Sequence, residues 1–212
     1  MQATHGRFVT LEPWKSTRHQ DGLFAAIAGP VDDALWQYIP FGPPQSASEL
    51  GGVLTALNES GQWQTLILCR PETGDVLGMA SYMRIRPDAG SAEVGSIVFS
   101  KRLQQTAAAT ESIYRMARHV FDERGYRRFE WKCDNENAPS RRAASRFGFE
   151  FEGIFRQDMV VRGRNRDTAW FSMLDHEWPR LRAGFEAWLA PENFDGQGQQ
   201  RMSLVALREQ AT

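Results

Sequence analysis

Two strand-like runs joined by a helix-like one, between residues 92 and 134, constrain this chain more than any other feature. The first, "AEVGSIVFS" at 92–100, is apolar and strand-like. The helical run, "TESIYRMARHVFDERG" at 110–125, carries Ile113, Met116, Ala117, Val120 and Phe121 at the spacing of one helix face and ends at Gly125. The second strand-like run, "RRFEWKCD" at 127–134, sets Phe129, Trp131 and Cys133 against Glu130 and Lys132, the alternation of a half-buried strand. A strand that reaches its neighbour through a helix arrives pointing the same way, so these two strands are predicted to be parallel.

The flanking segments are joined by turns instead. "WQTLILCR", "VLGMASYMRIR" and "SAEVGSIVFS" are separated by "PETGD" and "PDAG", which predicts a three-stranded antiparallel meander ahead of the crossover. Nearer the N-terminus, "RFVTLEPW" (7–14) reads as an opening strand stopped by Pro13. Helical stretches follow at 19–29, at 32–40 and from Ser46 or Ser48 as cap, the last weakened by Gly51 and Gly52. Past the crossover, "APSRRAASRFG" reads as a helix with Pro139 in its first turn and Gly148 just beyond its end. A hairpin around "RGRNRD" (162–167) and a short helix, "PRLRAGFEAWLA", complete the pattern. One domain over residues 1–190 is expected, with a polar tail at 191–212.

Twenty-five basic and 26 acidic residues leave a net charge of -1, which gives no electrostatic case for nucleic acid or an anionic membrane surface. No apolar run approaches the roughly 18 residues of a membrane span, and "MQATHGRFVTLEPWK" lacks the apolar stretch of a signal peptide. The expectation is a soluble cytoplasmic protein. Cys69 and Cys133 fall in apolar strand-like runs, as small buried hydrophobes rather than halves of a bridge. His5, His19, His119 and His176 show no metal-ligand spacing, so no metal is expected.

Between the first strand and its helix lies "LQQTAAATES" (103–112). A strand that turns directly into a helix presents N–H groups with no partner inside the helix, a common place to hold an anion. Such turns usually contain glycine, and this one has none. Ala107, Ala108 and Ala109 are small helix formers that keep the backbone approachable. Thr106 reads as an N-cap or as a hydroxyl for a phosphate, and Arg102 and Gln104 read as solvated or as an added charge and amide. In "NENAPSRR" (135–142), Asn137 and Ser140 are, from physics alone, turn and cap residues. Glu93 alone reads as a solvated strand carboxylate.

In their order and spacing, "AEVGSIVFS", "RLQQTAAATES", "KCDNENAPSRRAASRFGF" and "FEGIFR" resemble the GNAT superfamily of N-acetyltransferases over about residues 7 to 180. Within it they resemble the branch that includes the ribosomal-protein alanine N-acetyltransferases. The resemblance implies an α+β architecture, the GNAT (acyl-CoA N-acyltransferase) fold: a central mixed, mostly antiparallel sheet with a splayed parallel strand pair and helices on both faces. It implies acetyl-CoA as co-substrate, with the backbone of Ile97, Val98 and Phe99 pairing with the pantetheine arm like an added strand. It implies that the pyrophosphate lies on Arg102, Gln104, Gln105, Thr106, Ala107, Ala108, Ala109 and Thr110, with Gln105 standing where the family has its first glycine. Asn137 and Ser140 would mark the cofactor side.

Acetylating an amine requires a neutral nucleophile and a proton for the departing thiolate. Many family members supply that proton from a Tyr where this chain has Ala144; the branch implies Ser140 instead. It also implies Glu93, facing the acceptor side, as the base, with Asp134 and Glu130 as alternatives. A backbone N–H of Ile97 or Val98 would stabilise charge on the carbonyl oxygen. The implied function is direct transfer of acetyl to a primary amine of a protein N-terminus or small molecule, since no Cys or Ser stands in a nucleophile arrangement. The alternative, motivated by the missing glycine and Tyr, is a catalytically weak or inactive CoA-binding or interaction module of the same fold. Acceptor choice would fall to the helices at 23–57 and the hairpin near Gly163. Trp36, Tyr38, Phe41 and Trp170 line a pocket or fill the core. "RGRNRD" is solvated, on the acceptor side, or in a subunit contact of a monomer or homodimer.

Overall fold

Residues 7–9 show why the first strand is shorter than its sequence pattern. In the computed structural model, which describes residues 2–211, the N–H groups of Arg7, Phe8 and Val9 donate to the Glu111 carboxylate at 3.0, 2.6 and 3.0 Å rather than to a strand. A two-residue strand β1 (Thr4–His5) and β2 (Thr10–Pro13) therefore flank this point and pair antiparallel with each other. Met1 and Thr212, the ends of the predicted domain and tail, lie outside the described residues.

The helices follow their caps. α1 spans Ser16–Ile27, a 3-10 turn at Pro30–Trp36 replaces the helix expected at 32–40, and α2 spans Ala47–Glu59. Ser46 caps α2 by accepting from the Glu49 N–H at 3.1 Å, and Glu49 accepts from the Gln45 N–H at 2.7 Å. Gly51 packs closely on α1: a Cβ there would sit 2.5 Å from the Gln20 side-chain oxygen, which would have to shift. What weakens α2 in isolation lets it approach α1. Leu23, Ile27, Trp36, Leu50, Leu54 and Ile67 form the core beneath these helices. Trp36 is fully buried and donates to the Ile27 carbonyl at 2.7 Å, so it belongs to the core.

The meander forms where its turns place it, as β3 (Trp63–Cys69), β4 (Val76–Arg86) and β5 (Ser91–Phe99). α3 (Ala107–Arg118) continues into a π turn, His119–Glu123, and leads to β6 (Arg128–Asp134). Ile113, Met116, Ala117, Val120 and Phe121 are all buried, as their spacing predicts. α4 (Ala138–Phe147) precedes the hairpin of β7 (Glu150–Val161) and β8 (Arg164–Leu174), then come α5 (Trp178–Leu189) and α6 (Leu204–Gln210). The hairpin tip is Arg162 and Gly163 alone, both at positive φ, so the rest of "RGRNRD" belongs to β8.

Two compact units result. The first holds the chain up to Ile85, Glu93–Ser112 and Val160–Arg164, with strand order β1-β2-β3-β4-β5. The second holds Arg86–Ala92, Ile113–Met159 and the chain from Asn165, in which the opening of β5 is followed by β6, β8 and β7. The sheet is mixed, with β5 and β6 as its parallel pair. In the second unit the tail is more than polar: Leu204 is buried, and Arg208 donates to the Arg146 carbonyl at the end of α4 at 3.0 Å.

Glu111→Ala would leave three backbone donors without their acceptor. It is expected to lower unfolding free energy by about 3 kcal/mol or more, measured by urea denaturation. A loss under about 1 kcal/mol would show that water or a neighbour replaces the carboxylate.

Candidate active site

In the first unit the turn after β5 is closed by its own bonds. The Leu103 and Gln104 N–H groups donate to the Ser100 carbonyl at 2.9 and 3.0 Å, and the Gln104 side-chain amide donates to the Phe99 carbonyl at 2.9 Å. Thr106 is the cap: its hydroxyl donates to the Leu103 carbonyl at 2.6 Å and accepts from the Ala109 N–H at 3.2 Å. Gln105 adopts φ +60°, the left-handed conformation that glycine takes without steric cost. The position is therefore glycine-like in backbone and Gln in side chain.

Each residue expected at this turn has a definite place. Arg102, Gln104 and Gln105 are exposed, and Arg102 donates to the Val76 carbonyl at 3.3 Å. Ala107 and Ala108 are half-buried and open α3, so their N–H groups have no partner within the helix. Ala109 and Thr110 are buried, with the Ala109 N–H already bonded by the cap, so the approachable edge is shorter than the sequence suggests.

Along β5, Val98 is buried in the core under α1 and α2, while Ile97 and Phe99 are half-buried. Ser96, just before them, has φ +48°, and with Ile97 it forms two successive half-exposed residues, a break in strand alternation that no sequence pattern announced. The hydroxyl oxygens of Ser96 and Ser100, on either side of Ile97–Phe99, are buried without a hydrogen-bond partner among the described residues.

Glu93 departs from the solvated reading. It is 3% exposed, with the Arg84 Nε 3.6 Å from one carboxylate oxygen. A Cβ at Gly95 would come within 3.0 Å of the other oxygen and 2.5 Å of the Met83 sulfur, so the glycine makes room for this carboxylate.

In the second unit, Asn137 caps α4 through its side-chain oxygen, which accepts from the Ser140 N–H at 3.1 Å. The Ser140 hydroxyl accepts from the buried Trp131 indole N–H at 3.0 Å. It also bonds the Cys133 thiol: burial pushes that thiol up, and the Ser140 bond acts against it. A buried indole needs an acceptor, which is the signal in "FEWKCD" that points to a polar partner for Trp131. Glu130, expected on the outward side of β6, is 2% exposed and is paired with Arg86 and Arg128 at 2.6 and 2.7 Å. Burial of the Glu130 carboxylate is supported there by two guanidiniums.

A family model described as Acetyltransferase (GNAT) domain matches residues 9–150. The uncharacterized N-acetyltransferase p20 of Bacillus licheniformis is 26% identical over 139 residues, 66% of this chain and 78% of that protein. Among solved structures, a GCN5-related N-acetyltransferase from Brucella melitensis superposes with a TM-score of 0.94 at 46% identity, over 98% of this chain and 94% of that one. A spermidine N-acetyltransferase from Vibrio cholerae, solved with CoA and spermine, shares the fold at a TM-score of 0.65 and 16% identity, over 81% of this chain and 98% of that one.

The left-handed Gln105 makes a stability prediction of its own. Gln105→Gly is expected to hold or raise stability by up to about 1 kcal/mol, whereas the β-branched Gln105→Val is expected to lose about 1 to 2 kcal/mol. Equal urea midpoints for the two variants would mean that the turn is not held in this conformation.

Proposed function

The chain belongs to the GNAT acetyltransferase family, whose members use acetyl-CoA, and from that premise we propose that it moves the acetyl group directly onto a primary amine, on a protein N-terminus or a small molecule. The observation that carries the reading is Gln105, which supplies at φ +60° the backbone turn for which the family uses glycine. The helix head beyond it offers the Ala107 and Ala108 N–H groups to the pyrophosphate, with small side chains that let it approach. Arg102, Gln104 and Gln105 edge that position. Thr106 serves it indirectly, by holding the turn. The backbone of Ile97 and Val98 would receive the pantetheine arm. The orphaned hydroxyls of Ser96 and Ser100 fit a polar ligand running along this strand.

Acetyl-CoA supplies an acetyl group activated as a thioester; the chain's residues manage protons and charge. Glu93 takes the proton that an ammonium must lose before its nitrogen has a lone pair, directly or through water. As the C–N bond forms, a backbone N–H of Ile97 or Val98 donates to the carbonyl oxygen on which charge develops. As the C–S bond breaks, Ser140 gives a proton to the departing sulfur. Its bond from Trp131 orients the hydroxyl oxygen and leaves the hydroxyl proton free to be donated. Asn137 positions Ser140 through the α4 cap.

Glu93→Gln is expected to lower kcat by about 100-fold or more, and Ser140→Ala by about tenfold because a thiolate leaves readily, both with acetyl-CoA affinity nearly unchanged. The assay follows free thiol at temperatures where both variants are folded, since Ser140→Ala also removes the Trp131 acceptor. Wild-type rates for the pair would remove these assignments. Ala107→Trp should weaken acetyl-CoA binding by about tenfold or more, and an unchanged dissociation constant would exclude this turn as the pyrophosphate site.

A further inference from the structure

In the second unit β7 is the last strand of the run β6-β8-β7, so one of its edges faces no neighbour in the sheet. Sheet edges are ordinarily kept short or guarded by Lys or Pro, because their free N–H and C=O groups can pair with another strand. β7 is 12 residues long and contains neither Lys nor Pro. Over Glu150–Met159, the part within the second unit, every residue but Gly153 is exposed. That part carries four of the six large apolar side chains exposed among the described residues, Phe151, Ile154, Phe155 and Met159. Phe155 is 56% exposed although its ring packs 5.0 Å from that of Trp170 on β8. Apolar side chains gathered on an open edge mark an interaction surface.

The order of residues around Gln157 says what fits this edge. In "FRQDM" (155–159), Arg156 and Asp158 stand one place either side of Gln157, and Phe155 and Met159 two places either side. A second copy lying antiparallel, with Gln157 on the two-fold axis, matches each residue with the one at equal distance on the other side. Arg156 then meets the partner's Asp158 and Phe155 the partner's Met159, each pair occurring twice. Moving the axis by one residue either way sets Arg156 or Asp158 against its own copy, where like charges repel. Gln157 itself is kinked, with φ +51°, and its N–H donates inward to the Asp167 carboxylate on β8 at 2.8 Å. The axis places that kink opposite its own copy, so the edge is shaped for an identical strand rather than a straight one.

We propose that the chain forms a homodimer through β7, the two edges antiparallel about Gln157, with Arg156 opposite the partner's Asp158 and Phe155 opposite the partner's Met159. An isologous contact of this kind closes at two copies, because each edge is used up by the other. The charged pair fixes the register and the apolar pair supplies the area removed from water. All of these residues lie in the second unit, and the contact needs neither the first unit nor the transfer chemistry.

The test is sedimentation equilibrium of the full chain from about 1 to 100 μM. The mass is expected to rise toward twice the chain's 24.1 kDa, and the mass of one chain throughout overturns the proposal. Asp158→Arg and Arg156→Asp each set like charges opposite one another twice, and each is expected to weaken dimerisation by about tenfold or more. Combining the two restores opposite charges and is expected to bring the dissociation constant back to within about threefold of the unaltered chain. A dimer indifferent to both single reversals, or one that the combined exchange weakens as much as either alone, overturns the proposal. If the unaltered chain is dimeric at every concentration, dissociation of the single variants within the range supports it and its absence overturns it. These side chains are exposed, so urea midpoints are expected to stay unchanged. Should one reversal not fold, the other and Phe155→Ser carry the comparison, Phe155→Ser being expected to weaken the dimer, and an unchanged dissociation constant in both overturns the proposal.

Discussion

The reversal of backbone at Gln105, between the end of β5 and the head of α3, is the constraint on which the proposed chemistry depends. A left-handed residue other than glycine costs on the order of 1 to 2 kcal/mol, so something must hold it. Here the hold is local and dense: Ser100, Phe99 and Leu103 offer carbonyls that Leu103, Gln104 and Thr106 bond, and Leu103 is fully buried. One turn further on, Glu111 fastens residues 7–9 to the same helix. The head of α3 is thereby fixed both along the chain and from a distant segment, and a helix end that cannot shift is what aimed N–H groups require.

The buried carboxylates are each handled differently. Glu111 is met by three backbone N–H groups and Glu130 by two arginines. Glu93 has Arg84 at the longer distance of 3.6 Å and a glycine beside it that leaves space. A carboxylate locked by short charge-assisted bonds is a poor proton acceptor, because taking a proton breaks those bonds.

Much of this was legible from residue spacing. The crossover between residues 92 and 134, the meander and the helix termini at Ser46, Pro139 and Gly148 follow from periodicity and end signals, and the family resemblance proposed Glu93, the turn and Ser140 as site residues. Other features had no such signal. Nothing in the local sequence pattern marks Glu111, yet its bonds to the backbone of residues 7–9 end the first strand early. Glu130 alternated outward and is nonetheless buried, because Arg86 arrives from 44 positions away. "RGRNRD" read as the run around a hairpin tip, but only Arg162 and Gly163 make the turn and the rest belongs to β8, where Arg166 is half-buried.

By itself the sequence determined the order and kind of elements, the parallel pair within a mixed sheet and the family, because these rest on local periodicity, turn chemistry and motif spacing within short windows. Only the tertiary structure decided that Gln105 adopts a glycine's conformation, that Glu93 is buried beside Arg84, and that Ser140 accepts from the Trp131 indole. Each of these depends on which distant atoms reach a buried group, and hydrogen bonding and desolvation are settled by neighbours in space rather than in sequence.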